Sequence, residues 1–332
     1  MTRSDEFESS VGATIADYVA VKRALGRRWS SAEYILRRLD RFLVSRHAAD
    51  LKRETFAAWC ESIESLAAGS RRQWMRTVYH LCLFRRRQDP GCFVPDPNHF
   101  PPSHPRRVPH IFADAEVARL LCAADCLERD HVSPLHRQVA RLGVVLLYTV
   151  GLRRGEVVRL TLADYDSPAR TLLIRDTKFY KSRLVPVSAD AVVELDRYLA
   201  ARQQPGFPCQ VEARLLLNHH GGRFRGYTGE GFGQLMRRLI RSAGIRTTRG
   251  RVPRVHDLRF TFAAHALLRW YRAGVDVQAR LPALAAYMGH VSVVSTQYYL
   301  PLLEAVAEVA SERYRVHCSA FLPFAGFAGG PR

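Results

Sequence analysis

The sequence predicts a mainly α-helical protein with a small antiparallel β-sheet, which places it in the α+β fold class. Apolar residues recur at helical spacing through most of the 332 residues. Two aliphatic runs, in TLLIRDTK and RLVPVS, flank a polar segment as the strands of a hairpin do. Both patterns stop between residues 89 and 109, where seven prolines occur. The length suggests two domains, and this proline-rich stretch separates them.

The N-terminal part has the pattern of a small helical bundle, with four helices and short connections between residues 11 and 87. The first helix is expected to end at Gly26, because glycine favours the position after a helix. Ser30 or Ser31 is expected to cap the second helix, and Ser70 the fourth. The apolar stripe of the second helix comprises Ile35, Leu36, Leu39, Phe42 and Leu43.

A proline-rich linker is predicted at 89–109, because proline removes backbone N–H donors and restricts the residue before it. We expect this linker to form neither helix nor sheet and to act as a rather extended spacer. The domain boundary is placed near residue 107. Residues 1–107 then form the helical domain with its linker, and 108–332 form the second domain with a C-terminal helix and tail.

The second domain is predicted to begin with a helix capped by Asp114, followed by a buried helix that ends at Gly151. The run RLLLN predicts a further strand. The remaining helices are expected at 189–202, 228–243, 256–273, 282–288, 292–299 and 303–314. The last of these has a face apolar enough to pack against a neighbouring subunit.

The charge balance predicts a polyanionic partner. Fifty lysines and arginines face 31 acidic residues, which gives a formal net charge of +19. Nucleic acid is the first candidate and an anionic membrane surface is the alternative. No basic amphipathic helix accompanies a lipidation signal, no apolar run has the length of a membrane span, and the acidic N-terminus is unlike a signal peptide. These features favour DNA in a cytoplasmic, nucleoid-associated setting.

The seven cysteines form no C-x-x-C pair, so we expect reduced thiols and no metal site. Cys122 and Cys126 are one helical turn apart in an apolar segment. This spacing predicts that both belong to the core.

The most informative stretch is 285–303, in which Gly289 and His290 precede Tyr299. A phenol has a pKa of about 10, so its attack on a phosphodiester requires removal of its proton or stabilisation of charge. Guanidinium groups neutralise phosphate oxygens, and the leaving oxygen requires a proton donor. Such a reaction requires no metal and no other cofactor.

Three upstream clusters supply the groups that a nucleophilic tyrosine needs. They are, in chain order, Arg153 with Glu156, Lys178 with Lys181, and His256 with Arg259. Each cluster has a simpler explanation when it is taken alone: a surface ion pair, a solvated hairpin tip, and a DNA-backbone contact or a capped core histidine. Their joint occurrence, in this order and in a basic protein, favours an active site.

The segments GLRRGEV, TKFYKSRLVP, HDLRFTFAAH and MGHVSVVSTQYY resemble the successive active-site segments of the tyrosine recombinase (phage integrase) family. The resemblance covers 111–312, and the N-terminal helices are similar to the core-type DNA-binding domain of that family. The segments YVAVKRALGRRW and LRRLDRFL look most like those of transposon-associated integrases.

The resemblance implies that Arg153 and Arg259 clamp the scissile phosphate and that Glu156 buttresses them. The other implied roles are Lys178 as proton donor to the leaving 5′ oxygen, His256 as acid/base group, His290 as hydrogen-bonding partner of the phosphate and Tyr299 as nucleophile. Lys181 stays an alternative to Lys178, because DTKF lacks the glycines usual in this turn. Tyr298 stays an alternative to Tyr299.

The sequence therefore predicts a metal-independent, site-specific DNA recombinase that breaks and rejoins double-stranded DNA through a 3′-phosphotyrosyl intermediate. By resemblance the working unit is a tetramer on DNA, of this chain alone or with related recombinases. A type IB topoisomerase, a telomere resolvase and a catalytically silent DNA-binding regulator are the alternatives. The candidate DNA-binding residues are Arg71, Arg72, Arg76, Lys181 and Arg183.

Overall fold

The computed structural model describes residues 7–26, 30–102, 108–128, 133–175 and 182–289. These residues form two compact units, one within 7–102 and one within 108–289. The predicted boundary near residue 107 and the predicted helices at 292–299 and 303–314 lie outside the described residues. Among the helices that are described, none is both long enough and apolar enough to cross a membrane.

The first unit is a bundle of four helices. They are α1 (Gly12–Ala24), α2 (Ser30–Ser45), α3 (Arg53–Ser62) and α4 (Ala68–Arg85). The apolar stripe predicted for α2 faces the core, where Leu36, Leu39 and Leu43 are fully buried. Gly26 follows α1 with a φ of 74°, a left-handed conformation that glycine adopts without steric strain.

The prediction that Ser70 caps the fourth helix is wrong. Helix α4 begins two residues earlier, at Ala68, and Ala67 precedes it without a side-chain capping bond. The orphan N–H groups of a helix end can be satisfied by water instead of a side chain, so a serine near the start is no firm marker of the boundary.

The first part of the proline-rich linker packs against the first unit and is not an extended spacer. Pro97–His99 form one 3₁₀ turn, in which the Asp96 carboxylate accepts a hydrogen bond from the backbone N–H of Asn98 at 2.9 Å. Phe100 is buried in the core of the bundle, and Arg72 donates to the Pro101 carbonyl at 2.6 Å. Two side chains of the segment, Cys92 and Phe100, are apolar enough to bury, and this outweighs the proline content.

The second unit is built around α6, whose residues are buried on several sides. Its helices are α5 (Asp114–Asp125), α6 (His136–Tyr148), α7 (Arg154–Val157), α8 (Ala189–Arg202), α9 (Gly229–Ser242), α10 (Asp257–Arg272) and α11 (Val277–Met288). Helices α5, α8, α9 and α10 all contact α6. The predicted buried helix is therefore present, although it ends at Tyr148 and not at Gly151, and the α+β fold class is confirmed.

A three-stranded antiparallel sheet contains the predicted hairpin. Its strands, in the order in which they pair, are β1 (Tyr165–Asp166), β2 (Thr171–Ile174) and β3 (Arg183–Pro186). Ile174 pairs with Arg183 at the end of the hairpin nearest the connection between the two strands. A second hairpin joins β4 (Leu217–His220) to β5 (Arg223–Gly226), so the strand expected in RLLLN begins only at its fourth residue. Strand β5, with alternating arginines, was missed.

Two helix starts differ from their predictions. Ala113 is the N-cap of α5, and Asp114 is its first residue, while the Glu116 carboxylate accepts from the Ala113 N–H at 3.0 Å. Helix α11 begins at Val277 instead of 282, with the Asp276 side chain as its cap. Pro282 therefore lies inside α11, where it removes one backbone hydrogen bond.

The prediction that Cys122 and Cys126 belong to the core is wrong, since both are exposed. Helix α5 buries Val117, Leu120 and Ala124. At 100° per residue these three lie on one face, and both cysteines lie on the opposite one.

We expect Gly151→Ala to destabilise the second unit more than Gly244→Ala. Both glycines have a positive φ, 65° and 68°, which costs about 1–2 kcal/mol for alanine. Only at Gly151 would the added Cβ collide with a ring, 2.8 Å from Cγ of Phe262, while nothing lies within 4 Å at Gly244. Overpacking should add about 1–3 kcal/mol, measured as a lower thermal midpoint. Equal midpoints for the two variants would contradict this packing argument.

Candidate active site

The turn after α6 sets the position of Arg153. Gly151 takes a left-handed conformation, and Arg153 then precedes the short helix α7. The backbone N–H of Arg153 donates to Oε2 of Glu156 at 2.9 Å, and its Nη1 donates to Oε1 at 2.8 Å. Arg153 and Glu156 are therefore held together as predicted, through both backbone and side chain.

The Glu156 carboxylate is the centre of the site, because it binds arginines from two other segments as well. It is only 3% exposed. Arg183 of β3 donates from Nη1 to Oε1 at 3.0 Å and from Nη2 to Oε2 at 2.9 Å. Nη1 of Arg259 lies 3.9 Å from Oε2. One carboxylate thus brings together three guanidinium groups that are far apart in sequence.

Glu156 is held in its charged form. Burial by itself would raise its pKa, but the hydrogen bonds and charge of Arg183, followed by those of Arg153, outweigh burial and lower the pKa to about 2. A carboxylate with a lowered pKa contributes stability above its unfolded pKa, and this stability is lost as pH falls through the folded value. The relevant window runs from about 4.5 down to about 2.

Arg259 is buried and anchored to two loops. Its side chain is 1% exposed. Nη1 donates to the Gly151 carbonyl, and Nη2 donates to the Met288 carbonyl at 2.5 Å. The helix that carries it, α10, is fixed at its start by Asp257, whose carboxylate accepts from the Arg254 N–H at 2.9 Å. Arg259 therefore connects the turn before Arg153 with the end of α11.

Gly289, the residue that follows α11, is a second glycine in contact with the arginines. Gly289 has a φ of 65°, and its carbonyl accepts from Nη2 of Arg153 at 2.8 Å. A Cβ at this position would lie 2.6 Å from Nη1 of Arg183. Arg153 and Arg259 thus donate to the carbonyls of adjacent residues, Gly289 and Met288, directly before His290.

His256 stands immediately before α10, on the same helical face as Arg259. Its ring meets that of Phe260 edge to face, with centroids 5.1 Å apart. Surrounding protein atoms displace water from the imidazole, and the positive charge of Arg259 adds to this, which lowers its pKa to about 4. More than a third of the residue is still open to solvent, and water there favours the charged form. The lowered pKa leaves His256 neutral at neutral pH.

Several predicted site residues lie outside the described residues. Lys178 and its alternative Lys181 belong to 176–181, between strands β2 and β3. His290, Tyr299 and the alternative Tyr298 belong to 290–332. The roles of these residues stay predictions.

The predicted DNA-binding arginines differ in their surroundings. Arg76 on α4 is exposed, whereas Arg71 and Arg72 are half-buried. Arg183 differs from these arginines, because its guanidinium is mostly buried and paired with Glu156. Its side chain is 13% exposed and is occupied by Glu156 and by the Tyr287 carbonyl, to which Nε donates at 2.8 Å. Strand alternation was the signal that could have indicated this, since Arg183 shares the inward side of β3 with the buried Val185.

Comparisons with known proteins agree with this arrangement. The phage integrase family profile matches residues 113–305, more than half of the chain. An integrase/recombinase of Sinorhizobium fredii, y4rB, is 33% identical over 301 residues, which cover 88% of this chain and 93% of that protein. The tyrosine recombinase XerD of Mycobacterium leprae is 36% identical over 216 residues, which cover 63% of this chain and 62% of that protein.

Among solved structures, the Tn1549 transposon integrase in complex with transposon right end DNA is similar in fold. The TM-score is 0.61 at 17% sequence identity, and the match covers 91% of this chain and 98% of that chain. Identity this low supports a shared fold and says nothing of shared ligands.

We expect Glu156→Gln to destabilise the protein by about 3–5 kcal/mol at neutral pH, because the variant leaves buried arginine charge unpaired. The loss should shrink as pH falls from about 4.5 towards about 2, where the wild-type carboxylate becomes protonated. Urea denaturation at several pH values measures both effects. Glu230→Gln is the control, because Glu230 pairs with Arg237 on the surface and its loss should change little. A pH-independent difference for Glu156→Gln would contradict the ion-pair explanation.

Proposed function

The chain belongs to the phage integrase family, and we propose that it is a tyrosine-type site-specific DNA recombinase that breaks and rejoins DNA through a 3′-phosphotyrosyl intermediate. The observation that carries this proposal is the convergence of Arg153 and Arg259 on the carbonyls of Gly289 and Met288. The guanidinium groups of Arg153 and Arg259, from two different segments, thus lie beside the two residues that precede His290. Such paired, preorganised cations suit a phosphodiester, whose charge grows in the transition state.

In the proposed reaction, Arg153 and Arg259 hold the non-bridging oxygens of the scissile phosphate. The Arg153 side chain is 35% exposed, so it retains a face towards solvent from which DNA could approach. The phenol oxygen of Tyr299 forms a bond to phosphorus while the bond from phosphorus to the 5′ oxygen breaks. Lys178 delivers a proton to that leaving oxygen, which becomes a 5′-hydroxyl. Attack by a 5′-hydroxyl of a partner duplex reverses the step and releases the tyrosine.

His256 is proposed to take the proton from the phenol. Its lowered pKa keeps the imidazole ring neutral at neutral pH. Only the neutral imidazole has a free acceptor nitrogen. A bound phosphate places negative charge beside the ring, which raises the pKa again and favours proton uptake. The histidine is therefore ready to accept a proton only once the substrate is in place.

The partner proposed for this chain is double-stranded DNA, consistent with the net charge of +19. We also propose that it works as a tetramer on two DNA sites, alone or with related recombinases, and that it serves a mobile element. A cytoplasmic, nucleoid-associated location follows from a DNA substrate.

A nicked duplex substrate tests the reaction. The sequence of the duplex is first selected from a randomised library by covalent capture on the wild-type protein. We expect the wild-type protein to form a protease-sensitive covalent adduct with the nicked form of this duplex, with or without EDTA. Tyr299→Phe should abolish the adduct because no phenol oxygen remains at that position, whereas Tyr298→Phe should retain it. The adduct is measured by denaturing gel electrophoresis.

Other outcomes of this experiment select another function. Loss of the adduct in Tyr298→Phe alone would assign the nucleophile to Tyr298. Relaxation of supercoiled plasmid without a preferred site would indicate a topoisomerase. DNA binding without any adduct would indicate a catalytically silent regulator.

Arg76 tests the proposed DNA contact of the helical unit. The residue is exposed on α4, so we expect Arg76→Gln to weaken DNA binding at all sequences alike. The slope of log affinity against log salt should fall in magnitude by about 0.9, because one fewer phosphate is neutralised. Fluorescence anisotropy measures the slope. Arg197→Gln on α8 is a matched control, since its helix also carries Asp190, Glu194 and Asp196. An unchanged slope for Arg76→Gln would remove Arg76 from the interface.

A further inference from the structure

Arg183 of β3 binds two other segments of the second unit through three different nitrogen atoms. Nη1 and Nη2 bind the two oxygens of Glu156 at 3.0 and 2.9 Å. Nε donates to the Tyr287 carbonyl in the last turn of α11 at 2.8 Å. A planar guanidinium with a bidentate carboxylate partner and a third acceptor has no freedom to rotate. Strand β3, helix α7 and the end of α11 are therefore held in one arrangement by this side chain.

The same guanidinium lies against the backbone of Gly289. A Cβ on that residue would be 2.6 Å from Nη1 and 3.0 Å from Cζ of Arg183. Glycine is thus required here for two reasons, a left-handed φ of 65° and the closeness of Arg183. The Gly289 carbonyl in turn accepts from Arg153. Arg183 accordingly borders the residue that connects α11 to His290.

We infer that Arg183 is a positioning residue for the proposed recombination reaction, which acts through Glu156 and Gly289 to hold Arg153 in place and does not itself contact DNA. This inference rests on the proposed function. Glu156 receives two hydrogen bonds from Arg183 and two from Arg153, so its orientation depends on both. Without Arg183 the carboxylate has lost half of these partners and can rotate, and the Arg153 guanidinium moves with it.

A direct contact between Arg183 and a DNA phosphate is the competing role, and the geometry disfavours it. Its Nη1, Nη2 and Nε atoms are all bound already, the first two by the Glu156 carboxylate and the third by the Tyr287 carbonyl. To reach a phosphate, Arg183 would have to leave a carboxylate that is itself 2% exposed. That would leave the buried Glu156 charge short of a partner, a loss that one phosphate contact at a wet interface does not offset.

Arg183→Lys and Arg183→Gln test the inference on the nicked duplex obtained by covalent capture. The lysine keeps a positive charge beside Glu156, so the variant retains a counter-ion and is expected to fold, but it cannot reach all three acceptors. We expect adduct formation at saturating protein to slow by about 100-fold in both variants, the effect of displacing a catalytic group by roughly 1 Å. The DNA affinity should stay within about 2-fold of wild type, and the salt slope should not change. Arg197→Gln is the matched control and should change neither quantity.

A double-mutant cycle separates action through Glu156 from any other action. In a Glu156→Gln background, Arg183→Gln should change the cleavage rate by less than about 2-fold, because its partner is already gone. Full additivity of the two losses would overturn the inference. So would a weaker DNA affinity for Arg183→Gln with a salt slope lowered by about 0.9, which is the result expected of a phosphate contact.

A measurement without DNA keeps the inference testable if the proposed function fails. The Glu156 carboxylate can be titrated by ¹³C NMR, with Glu156→Gln identifying its signal. Arg183→Gln should raise the pKa of Glu156, because Arg183 makes the largest contribution that lowers it. An unchanged pKa would show that Arg183 does not hold Glu156 and would overturn the inference. Failure of the wild-type protein to form any adduct, with this pKa shift present, would reject the recombinase reaction and leave the positioning of Arg153 by Arg183 intact.

Discussion

The ion pair between the buried Glu156 carboxylate and its surrounding arginines is the interaction on which the site depends. Taking a carboxylate out of water is costly, and here hydrogen bonds from Arg153 and Arg183 compensate for it. These hydrogen bonds form only when strand β3 and helix α7 are in their folded positions. The arginines are therefore brought together when the unit folds. The buried Glu156 charge thereby orients the Arg153 guanidinium, which is partly open to solvent.

Backbone carbonyls do the rest of the positioning. Gly151 and Gly289 both adopt left-handed conformations, and each offers a carbonyl to one of the two arginines. A guanidinium bound to fixed carbonyls loses little freedom when a phosphate arrives, which is the condition for electrostatic preorganisation. The pKa of His256 is lowered first by burial and then by the positive charge of Arg259, so the protonation of this histidine is coupled to the arginines of the site.

Residue types and spacing were enough to predict many parts of this molecule. The helical periods of α2 and α6 and the paired runs of β2 and β3 are local patterns, and all four elements exist. The chemistry of a phosphodiester calls for two arginines, and the resemblance to the tyrosine recombinases singled out Arg153, Arg259 and the supporting Glu156. Positions that depend on what packs on the other side of an element were predicted less well. Cys122 looked like a core residue in an apolar segment, yet the core lies against the opposite face of α5.

The amino-acid sequence by itself determined the fold class and the basic character, because these follow from periodicity and net charge, and its resemblance to the tyrosine recombinases supplied the candidate site residues. Only the tertiary structure decided which groups Arg183 contacts. In the sequence it is one of 50 basic residues, and a solvated role was the natural expectation. In the fold its guanidinium faces Glu156 from 27 positions away in the chain. A partner at that distance is chosen by the packing of β3 against α7, and no local pattern carries that information.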